Sequence, residues 1–279
     1  MRDSGGGVSE ILGMGLRFQV LGTSSSGNCA LIETDRTRIL LDAGFSGRRL
    51  CGILKDIGKP IETIDAVLLT HEHSDHIAGL RGLAHHGHLK FYANYGTAQA
   101  SRSKAGRELA WRIFETGTTF AVADLTVQTI LLPHDAMEPV GFIIRKDGED
   151  LFSPPASLAW VTDLGHVPPS LRRLVRDVQL LVLEANHDPL MLERDRKRPH
   201  SVKQRIMGRH GHLSNASARE FLASVERPLW RKVLLGHLSK DCNHPDQVLE
   251  TMGNGHCPWP VECLDPQRMV FPEINLAAL

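Results

Sequence analysis

The chain has 279 residues, of which 42% are apolar and 23% are charged, and its formal net charge is zero. That length suffices for one large core or two modest ones, while the balanced charge gives no overall attraction to nucleic acid. No apolar run approaches transmembrane length, and residues 1–15 lack the apolar centre of a signal peptide, so we expect a loose extension there and no membrane partner. Five scattered cysteines favour reduced thiols in a cytoplasm over a disulfide framework.

The chain begins with strand and helix patterns. Residues 16–21 predict a strand, residues 29–34 and 38–41 predict a hairpin, and residues 46–57 have helical spacing with Ser46 as the cap. A polar segment, residues 22–28, lies between the first two strands. It has neither a lysine nor a following helix, so we expect a structural turn whose hydroxyls cap backbone groups and no phosphate-binding loop.

The most informative stretch is residues 67–76, where a short apolar strand runs into three histidines and two carboxylates. Side chains alternate along an extended chain, so His71 and His73 project to the same side and can bind one metal ion together. Asp75 and His76 follow at a turn that can direct them toward a second ion. A solvated histidine-rich turn is the alternative for an isolated His-x-His pair, but the preceding buried strand favours a metal site.

Strand and helix patterns continue through the rest of the chain. The predicted elements are a helix at 77–86, a strand at 89–92, a helix at 95–107, two strands within 118–132, a strand at 140–146, a strand at 158–162, a helix at 171–176, a strand at 178–183, a helix from Pro189, a helix at 216–225 and a strand at 232–235. His85, His86 and His88 lie at the end of a predicted helix. The helix dipole explains them, and we assign them no function.

The order His-x-His-x-Asp-His directly after a buried strand resembles the metal-binding pattern of the metallo-β-lactamase fold superfamily. The resemblance implies an α/β fold with four layers, αββα, whose two sheets hold one or two metal ions, usually zinc. It implies a single domain over residues 16–256 and a proline-rich tail at residues 257–279 packed on it. The diiron redox branch typically has Glu at the position of His73, so this chain is expected to be a hydrolase.

The resemblance also implies which later residues complete two metal sites. His134, Asp163 and His237 each follow a predicted strand, where the family places a third ligand, a bridging carboxylate and a final ligand. The implied sets are His71, His73 and His134 for the first ion and Asp75, His76 and His237 for the second, with Asp163 bridging them. Asp42 is implied to support the metal loop without binding metal. The expected cofactors are two divalent ions, Zn²⁺ for these imidazole-rich ligands or Mn²⁺ as the alternative.

Within the superfamily, the Ser/Gly/Asn loop at 22–28 and the segments at 184–188, 211–215 and 237–239 most resemble the YycJ/WalJ-type proteins, and more distantly the tRNA 3′-processing endonucleases. These relatives imply a phosphodiesterase, with a DNA exonuclease of 5′-to-3′ polarity as the first choice. A hydroxide bridging the metals would attack phosphorus. The implied catalytic residues are Asp75, Glu184, His187 and His212. Glu184 would orient His212 as the general acid, and His187 is a second candidate for that role.

Other substrates remain open at this point. A hydrolase of a small lactone, thioester or cyclic nucleotide would need the same metal core, and a metal-stabilised binding module would need it without turnover. The chain lacks the long inserted clamp of larger RNA-processing relatives, which favours DNA over RNA. Residues 151–157 depart from the family pattern as an extra loop, which can shape substrate access or be a tolerated surface insertion.

A basic stretch lies between the segments of the expected active site. Residues 194–209 contain seven lysines and arginines against one acid, Asp195. Such a stretch can follow a nucleic-acid backbone, or it can be the solvated face of a helix. A small-molecule hydrolase would not need it.

Overall fold

The computed structural model describes residues 15–148, 155–253 and 257–279. The expected N-terminal extension lies outside these ranges up to residue 14, and the expected insertion lies outside them up to residue 154. The strands are β1 Arg17–Gly22, β2 Cys29–Glu33, β3 Arg38–Leu41, β4 Ala66–Leu68, β5 Lys90–Ala93, β6 Trp111–Ile113, β7 Thr119–Val122, β8 Leu125–Leu131, β9 Val140–Lys146, β10 Ala156–Val161, β11 Leu180–Glu184, β12 Lys232–Gly236, β13 Val261–Cys263 and β14 Ile274–Asn275.

The strands form two mixed sheets. The first has the order β14-β1-β2-β3-β4-β5-β6, and the second has the order β13-β12-β11-β10-β9-β8-β7. In the first sheet β1 to β3 pair antiparallel and β3 to β6 pair parallel. In the second sheet β7 to β10 pair antiparallel and β10 to β13 pair parallel. The expected tail contributes β13 and β14 to the sheets, and the division of the chain into extension, domain and tail stays a prediction.

Helices cover the outer face of each sheet. They are α1 Gly47–Asp56, α2 Ser74–Ile77, α3 Leu80–Leu83, α4 Tyr95–Ala105, α5 Leu171–Val175, α6 Pro189–Arg194, α7 His200–Met207, α8 Asn215–Ser224 and α9 Pro245–Thr251, with 3-10 turns at Ile61–Thr63 and Leu276–Ala278. Among the described helices, none combines the length and the apolar character needed to cross a bilayer.

Alternation of apolar side chains along the strands divides the interior into three clusters. Phe142 and Trp160 belong to the cluster between the sheets. Leu40 packs outside the first sheet with residues of α1, α3 and α4, and Leu181 packs outside the second sheet with residues of α5, α8 and α9. The order is therefore helix, sheet, sheet, helix, and the predicted αββα fold is confirmed.

The strand directions bring the expected site residues to one edge of the sandwich. β8 runs antiparallel to β9, and β9 runs antiparallel to β10, so β8 has the same direction as β10, β11 and β12. The ends of β8, β10 and β12 lead to His134, Asp163 and His237, while the end of β4 leads to the histidine segment. His76 follows a strand of the first sheet and Asp163 follows a strand of the second. Their side chains are in contact, so the two sheets meet at this edge.

The prediction of one helix over residues 77–86 is wrong. α2 already begins inside the histidine segment, and α3 follows after a break. At the break, the Gly79 N–H donates to the Ala43 carbonyl at 2.7 Å, and a Cβ on Gly79 would lie 2.7 Å from the Phe45 carbonyl oxygen. This contact with a distant segment interrupts the helix. The other predicted elements match the observed ones within two residues, whereas β6, α7, α9, β13 and β14 had no predicted counterpart.

The inter-sheet cluster is expected to dominate stability. Phe142 is fully buried there, with its ring centroid 6.0 Å from that of Phe114. Phe142→Ala removes these contacts and leaves a cavity, so we expect the free energy of unfolding to fall by about 3–5 kcal/mol. Leu131→Ala changes a residue of the same sheet that is 59% exposed, and should cost about 0.5 kcal/mol or less. Urea unfolding followed by circular dichroism measures both, and equal losses would contradict this account of the core.

Candidate metal centre

Three histidines from two loops form the first group of donor atoms. His71 and His73 follow β4, and His134 follows β8. One donor atom of each lies within 4.8 Å of the others. Nδ1 of His73 is 3.2 Å from Nε2 of His134. His71 and His134 are buried and His73 is half-buried, so the group opens toward solvent on the side of His73.

A second group of potential metal ligands lies beside the first, and one carboxylate lies between the two groups. Oδ2 of Asp75 lies 3.6 Å from Nε2 of His76 and 3.7 Å from Nε2 of His237. Asp163 lies between the groups, with Oδ2 3.3 Å from Nε2 of His76 and Oδ1 3.4 Å from Nε2 of His237. The same Oδ1 is 3.7 Å from Nε2 of His134. All seven residues that the sequence proposes as metal ligands therefore lie together.

Hydrogen bonds orient the imidazoles toward the space that they share. Four of them are held at Nδ1, which leaves Nε2 available as a ligand atom. The Nδ1 contacts are His71 with Thr70 Oγ1 at 3.0 Å, His76 with Asp42 Oδ2 at 2.7 Å, His134 with the Gly211 carbonyl at 2.9 Å and His237 with Glu184 Oε1 at 2.8 Å. His73 has the opposite orientation, since its Nε2 lies 3.2 Å from the Asp135 carbonyl. Asp42 supports the histidine segment, as expected.

Three of the buried atoms that could bind a metal ion lack a hydrogen-bond partner among the described residues. They are Nε2 of His71, Oδ2 of Asp163 and Nε2 of His237. Buried polar atoms almost always have a partner, so three such atoms facing one small space indicate a missing binding partner. Imidazole nitrogens and carboxylate oxygens are ligands of divalent transition metals. The residues of this edge fit divalent metal ions.

The charges of the centre favour a bound cation. Burial holds the pKa of His71 well below its ordinary value, and His76 lowers it further, so His71 is neutral as a metal ligand must be. Burial by itself would raise the pKa of Asp75, but His76 and His237 outweigh it and hold that pKa below its usual range. Burial would lower the pKa of His76, but the carboxylates of Asp163, Asp42 and Asp75 together outweigh it and raise that pKa. The carboxylates thus hold positive charge in this space, as protons or as metal ions.

Three residues of this edge have left-handed backbone conformations. The φ angles are 57° at Asp42, 65° at Asp163 and 57° at His237, each just after the end of a strand. A non-glycine residue in this region costs on the order of 1–3 kcal/mol. Neighbouring contacts compensate for it, because the His237 N–H donates to Thr23 Oγ1 at 2.9 Å. The prediction that the polar loop at residues 22–28 is a structural turn with capping hydroxyls is confirmed.

Glu184 connects the centre to His212. Its side chain is fully buried, and Oε1 lies 2.8 Å from Nδ1 of both His212 and His237. Oε2 accepts hydrogen bonds from the N–H groups of Leu164 and Leu213. Burial would lower the pKa of His212, but the Glu184 carboxylate outweighs it and raises that pKa. The predicted pair is in contact, and His212 keeps 21% of its side chain exposed.

His187 lies apart from the donor groups. Its backbone forms an isolated bridge to Ser214, and within the described ranges it belongs to none of the sets of potential metal ligands. Burial lowers the pKa of His187 to about 4, so its side chain is neutral at pH 7. A neutral imidazole is a poor proton donor, which favours His212 over His187 as the candidate general acid.

The sequence analysis did not identify Asn28 as part of the centre. Its Nδ2 lies 3.1 Å from Nε2 of His76 and 3.3 Å from Oδ2 of Asp75. Its Oδ1 accepts a hydrogen bond from the Ser24 N–H, so the turn fixes the amide in place. The sequence signals were the polar composition of this loop and its resemblance to the opening of the metallo-β-lactamase fold superfamily, and neither assigned a contact to Asn28.

Comparisons with known proteins agree with this architecture. The Beta-lactamase superfamily domain matches residues 37–238. Exodeoxyribonuclease WalJ of Streptococcus pneumoniae serotype 2 (strain D39) is 35% identical over 251 residues, which is 88% of this chain and 89% of that protein. Exodeoxyribonuclease YycJ of Bacillus anthracis is 34% identical over 251 residues, 87% of this chain and 92% of that protein.

Solved structures show the same fold. The metallo-β-lactamase fold protein YhfI from Bacillus subtilis has a TM-score of 0.67 and 17% identity, over 93% of this chain and 99% of that chain. The short form of human tRNase Z has a TM-score of 0.61 and 16% identity, over 92% of this chain and 98% of that chain.

Two sheets between helices, with buried imidazoles and carboxylates at one edge, define a metal-dependent hydrolase. The chain belongs to the β-lactamase superfamily, with the metallo-β-lactamase fold. The predicted resemblance to the YycJ/WalJ-type proteins is confirmed.

The buried, neutral state of His187 predicts a pH effect on stability. The folded pKa of about 4 lies below the ordinary value of 6.5, so the unfolded chain binds a proton first as the pH falls. His187 therefore contributes stability that is complete above about pH 6.5 and is lost toward pH 4, amounting to about 3 kcal/mol. Urea unfolding at pH 7 and at pH 4 gives the free energy of unfolding at each pH. The decrease in this free energy from pH 7 to pH 4 should be smaller for His187→Gln than for the unchanged protein. Parallel losses would contradict the neutral state.

Proposed function

We propose that this chain is a dinuclear metal-dependent phosphodiesterase that degrades DNA as an exonuclease. The observation that carries the proposal is its similarity to two proteins named exodeoxyribonucleases over nearly the whole chain. The two groups of donor atoms around Asp163 support the use of two ions. Their imidazole-rich composition suits Zn²⁺, and Mn²⁺ is the alternative.

The residues of the centre divide into two ligand sets and their supports. His71, His73 and His134 would hold one ion, Asp75, His76 and His237 the other, and Asp163 would bridge them. When bound, such a pair of ions activates water near neutral pH and neutralises charge on a phosphate. Within this chain, Asp42 and Thr70 fix His76 and His71 in the orientation that such binding requires. Asp75 was expected to be both a metal ligand and a catalytic residue. In this scheme it takes part in catalysis only by binding the second ion.

His212 is assigned to protonate the leaving oxygen of the scissile bond. Its raised pKa, which the Glu184 carboxylate causes, favours the protonated imidazole, and its partial exposure gives access to a substrate. Glu184 holds Nδ1 and leaves Nε2 of His212 as the donating atom. Because the same carboxylate oxygen also orients His237, one buried residue aligns the proton donor with the metal centre.

Nucleic acid is the proposed partner, with DNA favoured over RNA by the named activity of the relatives. Polarity from 5′ to 3′ and a cytoplasmic location remain expectations from the sequence. The structure changes the interpretation of the basic stretch, because several of its cations neutralise acids of this chain. The pairs are Lys197 with Asp241, Arg198 with Asp195 and Asp241, and Arg205 with Asp135. Arg194 and Arg196 have no ion pair with any described residue and are better candidates for phosphate contacts.

The first test measures substrate and direction together. Metal-loaded protein is incubated with 5′- and 3′-labelled single- and double-stranded DNA and RNA, and product lengths are resolved on gels. We expect stepwise shortening of DNA, its loss on chelation, and its restoration by Zn²⁺ or Mn²⁺. His73→Ala should lower the rate at least about 100-fold, because it removes a ligand of the first ion.

The same experiment separates the competing functions. Hydrolysis of methyl 4-nitrophenyl phosphate without any shortening of DNA or RNA would favour a small-molecule hydrolase and overturn the nuclease proposal. Absence of turnover on every ester by metal-loaded protein would favour a binding module.

The second test addresses the proton donor. His212→Ala should slow DNA hydrolysis by about 10²–10⁴-fold, because an alkoxide leaves poorly without a proton. Hydrolysis of methyl 4-nitrophenyl phosphate should fall far less, because 4-nitrophenolate leaves without protonation. The ratio of the two kcat values, with metal content measured for each preparation, checks the role. Equal losses on both substrates would assign His212 to the support of the metal centre.

A further inference from the structure

Two large apolar side chains are exposed beside the metal centre. Tyr95 is 65% exposed at the start of α4, and Met137 is 71% exposed in the loop between β8 and β9. The segments that carry them meet, because a Cβ on Gly96, the residue after Tyr95, would lie 3.5 Å from Cβ of Met137. Single exposed apolar residues are common on protein surfaces, so position and support decide whether this pair has a function.

The loop that carries Met137 is part of the edge of the centre. It begins at His134, and the Asp135 carbonyl lies 3.2 Å from Nε2 of His73. The Met137 N–H donates to Oε1 of Glu72, which lies between His71 and His73. The pair is therefore continuous with the open, half-buried side of the first donor group.

Contacts of the next residue hold the loop firmly against α4. The Glu138 carbonyl accepts from Nδ2 of the buried Asn94 at 2.6 Å, and its carboxylate accepts from Thr116 Oγ1 at 2.6 Å and from the Gly96 N–H at 3.3 Å. A Cβ on Gly96 would lie 3.0 Å from Cβ of Glu138, so the close approach uses a glycine. The exposed pair is thus presented on a rigid base, which reduces the ordering cost of binding.

We propose that Tyr95 and Met137 form a stacking surface for an unpaired nucleobase next to the scissile phosphate. The proposal rests on the nuclease function above and specifies how its substrate is held. An aromatic ring and a polarizable thioether bind the flat face of any base, which suits a nuclease without sequence preference. Arg205, whose side chain is 65% exposed, pairs with Asp135 in the same loop and helps to hold that loop in place.

The test removes the base from the substrate and the ring from the protein. Single-stranded oligonucleotides carry one tetrahydrofuran abasic unit at successive positions from the processed end, and kcat and KM are measured with metal-loaded protein. For the unchanged protein, one position near the scissile bond should raise KM about 5- to 100-fold when its base is absent. Tyr95→Ala should raise KM on normal DNA similarly and abolish the penalty at that position, and Met137→Ala should reduce it. Tyr95→Phe should retain it.

Leu229→Ala is the matched control, because Leu229 is 58% exposed but precedes β12, at the opposite end of the strand from His237. It should behave as the unchanged protein. If Tyr95→Ala shows the same abasic penalties and KM as the unchanged protein while DNA is still degraded, the stacking surface is wrong and the nuclease function stands. If the unchanged protein degrades no oligonucleotide but cleaves methyl 4-nitrophenyl phosphate, both proposals are overturned together.

Discussion

The structure depends on the compensation of charge around Asp163. This buried carboxylate lies within 3.7 Å of imidazoles from three loops, which belong to both sheets. An isolated buried carboxylate would be costly, and so would a group of buried imidazolium ions. Together, the carboxylate and the imidazoles compensate for each other's charge. Loss of Asp163 would leave His76, His134 and His237 without the charge that they share.

The fold supplies this centre through the directions of its strands. Strands of both sheets end at one edge, and the loops that follow them carry short polar segments. The interior behind the edge is apolar and closely packed, so the loops are anchored on a rigid support. Left-handed residues at Asp42, Asp163 and His237 add local strain at the same edge. We interpret that strain as the cost of turning each chain sharply after its strand, which the buried core and the hydrogen bonds of Thr23 and Asp42 offset.

Glu184 gives the site its second level of organisation. One buried oxygen contacts both His212 and His237, so the position of the proposed proton donor is coupled to the position of a proposed metal ligand. Substrate binding, in this view, uses a different part of the edge, the loop that begins at His134. The proposed stacking surface thus shares a loop with His134, while His212 lies in the loop before α8 and is linked to His237 through Glu184.

The sequence by itself determined the αββα class, most strand and helix positions, and the set of residues that converge at the edge. The positions of the elements depend on local alternation and buried strands, whereas the αββα class and the later residues His134, Asp163 and His237 came from the resemblance of residues 71–76 to a known superfamily. It could not determine the break between α2 and α3, because Gly79 meets a segment far away in the chain. Nor could it identify Asn28, the pairing of Lys197 and Arg198 with Asp241, or the approach of Met137 to the start of α4. Those features arise from contacts between segments distant in sequence, and only the packing of the two sheets and their helices brings such segments together.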